Sequence, residues 1–275
     1  MVFTRVTAVY FSPTGNTRLI ARRLAGLMAE SLGIPQAELD ITLPAARQEH
    51  RSFTPEELVV FGVPVYAGRV PNKLLPYVRE GFSGGGACAV PVVTFGNRSF
   101  DDGLIELRNL LEDNGFHTIA GAAFAVSHVF SNQIAPDRPD QRDLAILTQF
   151  ARDTAGKAAA LKAPPVPVRV AGRDPVGPYY TPLGTDGKPT LFLKAVPKTD
   201  ASRCSDCGLC AQVCPMGSVQ SAAPWETAGV CIKCQACIKA CPTRAKYFDD
   251  PALASHIAML EQNYTRRAEP ACFLV

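Results

Sequence analysis

Residues 3–33 read FTRVTAVYFSPTGNTRLIARRLAGLMAESLG, and this stretch sets the class of fold. The run at 3–11 is rich in β-branched and aromatic residues, which predicts a strand. The segment SPTGNT at 12–17 predicts a turn. Apolar residues then recur at helical spacing until Gly33 ends the helix. The stretch therefore predicts a strand, a loop and a helix in succession.

The same alternation continues to about residue 162. Further apolar strands are predicted at 57–63, 87–95 and 117–126, and helices near 71–80, 101–115 and 140–162. Alternating strands and helices with short connections predict an α/β domain with a doubly wound parallel sheet.

Three loops that follow predicted strands are candidate ligand sites, because such sheets bind ligands at the carboxyl ends of their strands. The first loop, 12–17, places amides and hydroxyls at a helix N-terminus, which suits a phosphate monoester. It lacks the sequence motifs of NTP and NAD(P) loops. The second loop, 64–69, and the third loop, 94–100, each offer an aromatic and a glycine to a flat ligand. The candidates are Ser12, Thr14, Gly15, Asn16, Thr17, Pro64, Val65, Tyr66, Ala67, Gly68, Arg69, Thr94, Phe95, Gly96, Asn97 and Phe100.

Eight of the ten cysteines lie in two runs, CSDCGLCAQVCP at 204–215 and CIKCQACIKACP at 231–242. Each run is C-x2-C-x2-C-x3-C-P, the two-cluster ferredoxin spacing in which the fourth cysteine binds the other cluster. One [4Fe–4S] cluster is thus predicted on Cys204, Cys207, Cys210 and Cys241, and another on Cys231, Cys234, Cys237 and Cys214. Paired structural zinc sites are the alternative, but they leave the third cysteine and the proline unexplained. Disulfides are disfavoured, and Cys88 and Cys272 are expected to be packing thiols.

The composition of the chain limits the kinds of partner and the location that we expect. The net charge is +3, and no basic run with interleaved aromatics indicates nucleic-acid binding. Without a signal peptide or an 18-residue apolar stretch, we expect a soluble cytoplasmic protein.

Four segments are predicted: an α/β domain at 1–162, a Pro/Gly-rich connecting arm at 163–200, a cysteine unit at 201–248, and a helix with a tail at 249–275. The aromatics of the arm favour packing across both domains over a free tether.

These stretches resemble two known families joined in one chain. Residues 1–162 resemble a flavodoxin and residues 201–248 a small α+β bacterial two-[4Fe–4S] ferredoxin. The whole chain is similar to the flavodoxin–ferredoxin fusion proteins sometimes called ferrodoxins. The likeness is carried by SPTGNT, PVYAGR, GNRSFDD, YYTPLGTDGKP, the double cysteine run and NYTRRAE.

The resemblance implies FMN as the flavin. The first loop would hold its phosphate through Ser12, Thr14, Gly15, Asn16 and Thr17. Tyr66 to Arg69 would border the N5 edge, and Gly96, Asn97 and Phe100 would cover the other side. Phe100 stands where a tyrosine is expected, which keeps stacking but removes a hydroxyl.

A flavin beside two clusters predicts an electron-transfer protein that relays low-potential electrons between its cofactors and redox partner proteins. No catalytic acid, base or nucleophile is needed. One alternative is an iron–sulfur flavoprotein reductase with a small organic acceptor such as a quinone, and another is a zinc-dependent interaction module. The oligomeric state stays open, including a dimer across which the cofactors meet. We expect His128 to be a solvated loop residue rather than a proton donor to a substrate. Arg266 and Arg267 either brace the tail against the flavin domain, which the resemblance favours, or are solvated.

Overall fold

The computed structural model describes residues 1–274, and its largest element is one twisted sheet. The strands are β1 (Arg5–Tyr10), β2 (Gln36–Asp40), β3 (Glu57–Pro64), β4 (Cys88–Phe95), β5 (Ala120–Ala125) and β6 (Ala271–Leu274). Their order is β2-β1-β3-β4-β5-β6, and the short strand His117–Thr118 also pairs with β4. β1 to β5 are parallel, whereas β6 runs antiparallel to β5. The order 2-1-3-4-5 is that of the flavodoxin-like fold, as predicted.

Helices cover both faces of this sheet. The elements are α1 (Asn16–Leu32), α2 (Leu75–Glu80), α3 (Gly103–Asp113) and α4 (Gln141–Ala160), with a 3-10 helix at Pro44–Arg47 and paired short strands at Arg51–Ser52 and Phe82–Ser83. The apolar sides of α1 and α4 pack on one face of the sheet, and those of α2 and α3 pack on the other. The predicted doubly wound arrangement is confirmed.

The central strands form because their apolar residues are buried on both faces, as parallel strands under helices require. All residues of β4 are buried. By contrast, β2 (QAELD) lies at the sheet edge with alternating exposure, and its polar composition gave no strand prediction. α1 ends at Gly33, whose φ of 67° supports a left-handed cap.

The cysteine runs belong to a second, small α+β unit. It contains α5 (Leu209–Gln212), α6 (Ala236–Lys239) and an antiparallel pair of two-residue strands, Lys198–Thr199 and Lys246–Tyr247. This pair begins inside the segment predicted as the arm. α7 (Pro251–Asn263) follows, and the Asp250 carboxylate caps it by accepting from the Leu253 N–H at 2.8 Å.

The segment between α4 and Lys198 has no helix within the described chain and contacts both units. The Val168 and Tyr180 N–H groups donate to the carbonyls of Thr118 and Ala67 at 3.0 and 2.8 Å. Further along, the Leu183 carbonyl lies 2.8 Å from Nδ1 of His256 on α7. The arm is therefore packed, as its aromatic residues predict. Within residues 1–274, none of the helices combines the length and apolarity of a membrane crossing.

Candidate cofactor sites

Four cysteines from both runs line one cavity in the small unit, here called the first cavity. Cys204, Cys207 and Cys210 come from the first run, and Cys241 crosses over from the second. The cavity volume is about 320 Å³, including space open to solvent. Cys207 is exposed and Cys210 is buried on α5. This is the first predicted ligand set, gathered around one space.

The other four cysteines line the second cavity. Cys231, Cys234 and Cys237 are joined there by Cys214 from the first run, around a volume of about 370 Å³. Burial raises the pKa of the Cys234 and Cys237 thiols to about 12. At Cys241 of the first cavity, burial is outweighed by hydrogen bonds from the Thr243 hydroxyl and from backbone N–H groups, so its pKa is lowered.

The two runs repeat their backbone geometry with the same 27-residue offset as their sequence. Left-handed residues recur in pairs: Asp206 (φ 52°) with Lys233 (φ 55°), Gly208 (φ 71°) with Gln235 (φ 66°), and Gly217 (φ 60°) with Arg244 (φ 55°). The Ser218 N–H lies 3.3 Å from Cys214 Sγ, and its counterpart, the Ala245 N–H, lies 3.2 Å from Cys241 Sγ. Backbone N–H groups directed at cysteine sulfur suit thiolate ligands of an iron–sulfur cluster. Each cavity therefore fits a cluster bound by four thiolates.

The first loop connects β1 to α1. Gly15 adopts a φ of 93° immediately before the helix and supplies no side-chain cap to the N–H groups of α1. A Cβ at Gly15 would meet open space. Uncapped N–H groups at a helix N-terminus attract a phosphate, so the loop fits that group.

Three side chains of the first loop bind protein groups, although the sequence predicts that they bind a phosphate. Thr17 is buried, and its hydroxyl lies 2.7 Å from the hydroxyl of Thr94. Ser12 Oγ accepts from the Arg18 N–H at 3.0 Å, and Asn16 Nδ2 donates to the Ser127 carbonyl at 3.2 Å. Thr14 is half-buried. These bonds hold the loop in shape and leave the helix N-terminus as its main anion site.

The second loop turns tightly after β3. Ala67 (φ 49°) and Gly68 (φ 79°) are left-handed, and the Tyr66 and Arg69 backbones bond to each other at 2.9 and 3.2 Å. A Cβ at Gly68 would lie 2.3 Å from Asp101 Oδ2. Only glycine therefore fits there.

Arg69 supports the second loop and does not present its charge to the site. Its Nε donates to Glu106 Oε2 at 2.8 Å, and its guanidinium lies over the Tyr179 ring of the arm, 4.6 Å from the centroid. A further bond runs to the Gly177 carbonyl at 2.6 Å. Pro64 and Val65 lie half-buried at the end of β3.

The third loop is fixed by the C-terminal tail. Asn97 is left-handed (φ 68°) and buried, and its Nδ2 donates to the carbonyls of Tyr264 and Arg266, both at 2.7 Å. Its Oδ1 accepts from the Ala268 N–H at 3.0 Å. The Asn97 side chain therefore binds the tail, and only its backbone remains for a ligand. The Phe100 ring lies 5.5 Å from the ring of buried Phe95.

His128 differs from the expected solvated residue. A Cβ on Gly96 would lie 2.2 Å from Cδ2 of its ring, and Nδ1 accepts from the Phe130 N–H at 3.1 Å. Burial lowers the His128 pKa to about 4, with contributions from nearby positive groups, so the ring is neutral at pH 7. Gly96 is thus required by the imidazole packed against it.

A buried ion pair and several arginine hydrogen bonds hold the C-terminal tail in place. Arg138 Nη2 donates to Asp143 Oδ1 at 2.6 Å and to the Ala268 carbonyl at 2.9 Å. Arg267 donates to Asp140 and Asp143 at 2.6 and 2.9 Å, and Arg266 reaches the Arg98 carbonyl at 3.2 Å. Arg266 and Arg267 therefore brace the tail, as predicted.

The second cavity adjoins the flavodoxin-like domain within one chain. Burial raises the pKa of the half-buried Tyr66 well above its usual value, and the nearby thiols of Cys234 and Cys231 raise it further. Ile232, between these cysteines, packs against the domain core. Arg47 also donates to the Pro215 carbonyl that follows Cys214. The second loop and the second cavity are therefore neighbours.

Comparison with protein families identifies the cysteine runs. Two profiles, each described as a 4Fe-4S binding domain, match residues 197–220 and 228–244. They favour iron–sulfur clusters over the zinc alternative. No curated protein shows significant sequence similarity to the chain.

Solved flavodoxins resemble the first half of the chain at low identity. An archaeal flavodoxin is 13% identical, with a TM-score of 0.40, and the match covers 57% of this chain and 99% of that protein. A short-chain flavodoxin associated with a bacterial microcompartment is 15% identical, with a TM-score of 0.38 and coverage of 58% and 100%. A mutant flavodoxin from Pseudomonas aeruginosa is 15% identical, with a TM-score of 0.33 and coverage of 54% and 97%. The fold assignment rests on the strand order.

The chain therefore joins a flavodoxin-like domain to two consecutive 4Fe–4S binding domains, the organisation of a flavodoxin–ferredoxin fusion.

Proposed function

We propose that the protein relays low-potential electrons between redox partner proteins, two [4Fe–4S] clusters and one bound FMN, in the cytoplasm. When bound, FMN exchanges electrons singly or in pairs, and each cluster exchanges one. The chain supplies the positions of these groups, their burial and the hydrogen bonds that set their potentials. No residue is required to act as an acid, base or nucleophile.

The observation that carries this proposal is the contact of the second loop with the second cavity. Ile232, between Cys231 and Cys234, packs against the same core as Val65 of the second loop. Both thiols also raise the pKa of Tyr66, a predicted flavin neighbour, which burial raises most. The first cavity has its exposed thiol, Cys207, at the surface of the small unit. The proposed order is therefore partner protein, first cavity, second cavity and flavin site, in either direction of flow.

The residues proposed to hold FMN lie at the carboxyl ends of β1, β3 and β4. The N-terminus of α1 would bind the phosphate, with Ser12 and Thr14 at its rim. Tyr66 would border the ring from the second loop, and the backbone of Gly96 and Asn97 would border it from the third loop. Arg69, Thr17 and the Asn97 side chain are proposed to hold these loops in place, because they bind protein groups.

The coverage of the loops favours a carrier over a reductase that acts on a quinone. Ile232 of the small unit and Val65 of the second loop pack against the same core, the arm binds the Ala67 carbonyl, and the tail binds Asn97. A small organic acceptor needs an open approach to the flavin ring, whereas electron transfer to the second cavity does not.

Anaerobic purification with chemical analysis tests the proposed cofactor set. We expect about eight iron atoms, an equal amount of sulfide and about one FMN per chain. A titration with a low-potential reductant should then take up electrons at both the flavin and the clusters. Zinc in place of iron, a protein that does not bind FMN, or rapid turnover of a quinone with a defined product would overturn the proposal.

A further inference from the structure

A buried lysine lies beside the first cavity. Lys246, in the short strand that follows the second run, is only 4% exposed. Lysine is almost never buried this fully unless it is paired. In the described chain, the hydrogen bond of its ammonium goes to a neutral acceptor, the Pro224 carbonyl. The side chain therefore carries a charge that the protein alone compensates poorly.

The location of this ammonium relates it to the first cavity. Lys246 lines that cavity together with Cys204, Cys207, Cys210 and Cys241. The Pro224 oxygen that accepts from Lys246 also lies 3.8 Å from Cys210 Sγ. The ammonium and one thiol of the first cavity thus share a single carbonyl neighbour.

The physical consequence follows from the charge that a cluster carries. A buried ammonium with one neutral partner has lost much of its hydration without a matching counter-charge. A cubane bound by four thiolates is an anion and supplies that counter-charge. An ammonium has three donors, so two remain besides the one directed at Pro224. Reduction adds one electron to the cluster, and a nearby cation favours the reduced form.

We propose that Lys246 is a counter-charge for the first cluster and raises its reduction potential. This inference rests on the proposed cluster content. Lys246 is a positioning residue, since it acts through its charge and forms no bond to iron. Because it lines the first cavity, its effect should be larger on the first cluster than on the second.

The test is an anaerobic redox titration of the full-length, cluster-loaded protein, followed by optical and electron paramagnetic resonance spectra. In Lys246→Met we expect the equilibrium constant for reduction of the first cluster to fall about tenfold or more. For one electron, this lowers the reduction potential of that cluster by about 59 mV or more. The second cluster should shift in the same direction by less. Lys246→Arg keeps the charge and should keep both potentials close to those of the wild type.

Lys198→Met is the matched control. Lys198 lies in the paired strand, is exposed and bonds to Asp249 at 2.8 Å. Its replacement removes the same formal charge at the surface, so both potentials should stay nearly unchanged. If Lys246→Met shifts the potentials no more than Lys198→Met does, the proposal is wrong.

Cluster assembly supplies a second readout. If Lys246→Met loses iron while Lys246→Arg retains it, the charge itself is needed and the proposal holds in a stronger form. If both variants lose iron equally, the shape of the lysine is what matters and the proposal fails. A wild-type protein without about eight irons would overturn the proposed function, whereas full iron with unshifted potentials would overturn this inference alone.

Discussion

The two cysteine cavities have the same sequence spacing but different surroundings. Cys207 of the first run is exposed, while its counterpart Cys234 is buried. At the next equivalent position, the left-handed residue is Gly208 in the first run and Gln235 in the second. Asp206 is exposed, but its counterpart Lys233 donates to the Leu193 carbonyl of the arm.

The residues that repeat in the two runs therefore have a different role from the residues that differ between them. The cysteines and the left-handed positions define two equivalent ligand loops. The residues between them decide which loop faces the flavodoxin-like domain and which faces solvent. In the proposed relay, the first cavity would meet a partner protein and the second would meet the flavin site.

Replacing one cysteine in each cavity should give the largest effect. Cys207→Ser and Cys234→Ser should each lose about half of the iron, because each removes one thiolate from one cluster. Only Cys234→Ser should also weaken FMN retention, because its loop packs beside Tyr66. Iron and flavin analysis of anaerobic preparations measures both quantities. Equal FMN loss in the two variants would remove the distinction between the cavities.

Replacement of Tyr66 tests whether the second loop contacts the flavin. Tyr66→Ala should weaken FMN binding about tenfold, or about 1.4 kcal/mol, because an aromatic contact with the ring is lost. Tyr66→Phe should bind nearly as well as the wild type. The control is Tyr247→Ala, since Tyr247 is exposed and lies in the strand beside the first cavity. Fluorescence titration of apoprotein with FMN gives the affinities, and equal affinity in Tyr66→Ala and the wild type would contradict the assignment.

The smallest effect concerns the left-handed pair. Gly208→Ala should destabilise the loaded protein by about 1 kcal/mol, because a Cβ is strained at φ 71°. Gln235→Gly removes such a strain at φ 66° and should be neutral or stabilising by about 1 kcal/mol. Anaerobic thermal unfolding compares the two. Destabilisation by Gln235→Gly as large as that by Gly208→Ala would show that the Gln235 side chain has a role of its own.

The local features of this molecule could be predicted from its sequence. The strand, loop and helix of 3–33 are defined by adjacent residues, and the cysteine spacing groups each predicted ligand set around one cavity. Edge elements were missed because their signals are weak. β2 is polar, and β6 is a short tail segment that becomes a strand only by pairing with β5.

The roles of the loop side chains depend on contacts distant in sequence. Arg69 and Asn97 were predicted to bind flavin, yet their side chains bind Glu106 and the tail. Nothing near either residue indicates these partners. The burial of Lys246 could not be predicted either, because the residues next to it in the sequence do not distinguish it from an exposed lysine. Cofactor binding by the three loops therefore stays a prediction.

Transient absorption after light-driven reduction of the flavin, in anaerobic protein of each variant saturated with added FMN, tests the order of the cofactor sites most directly. With the second cluster adjacent to the flavin, Cys207→Ser should keep the fast bleaching of cluster absorbance, and Cys234→Ser should lose it even though its first cluster is intact. Fast bleaching that persists in Cys234→Ser and disappears in Cys207→Ser would contradict this order.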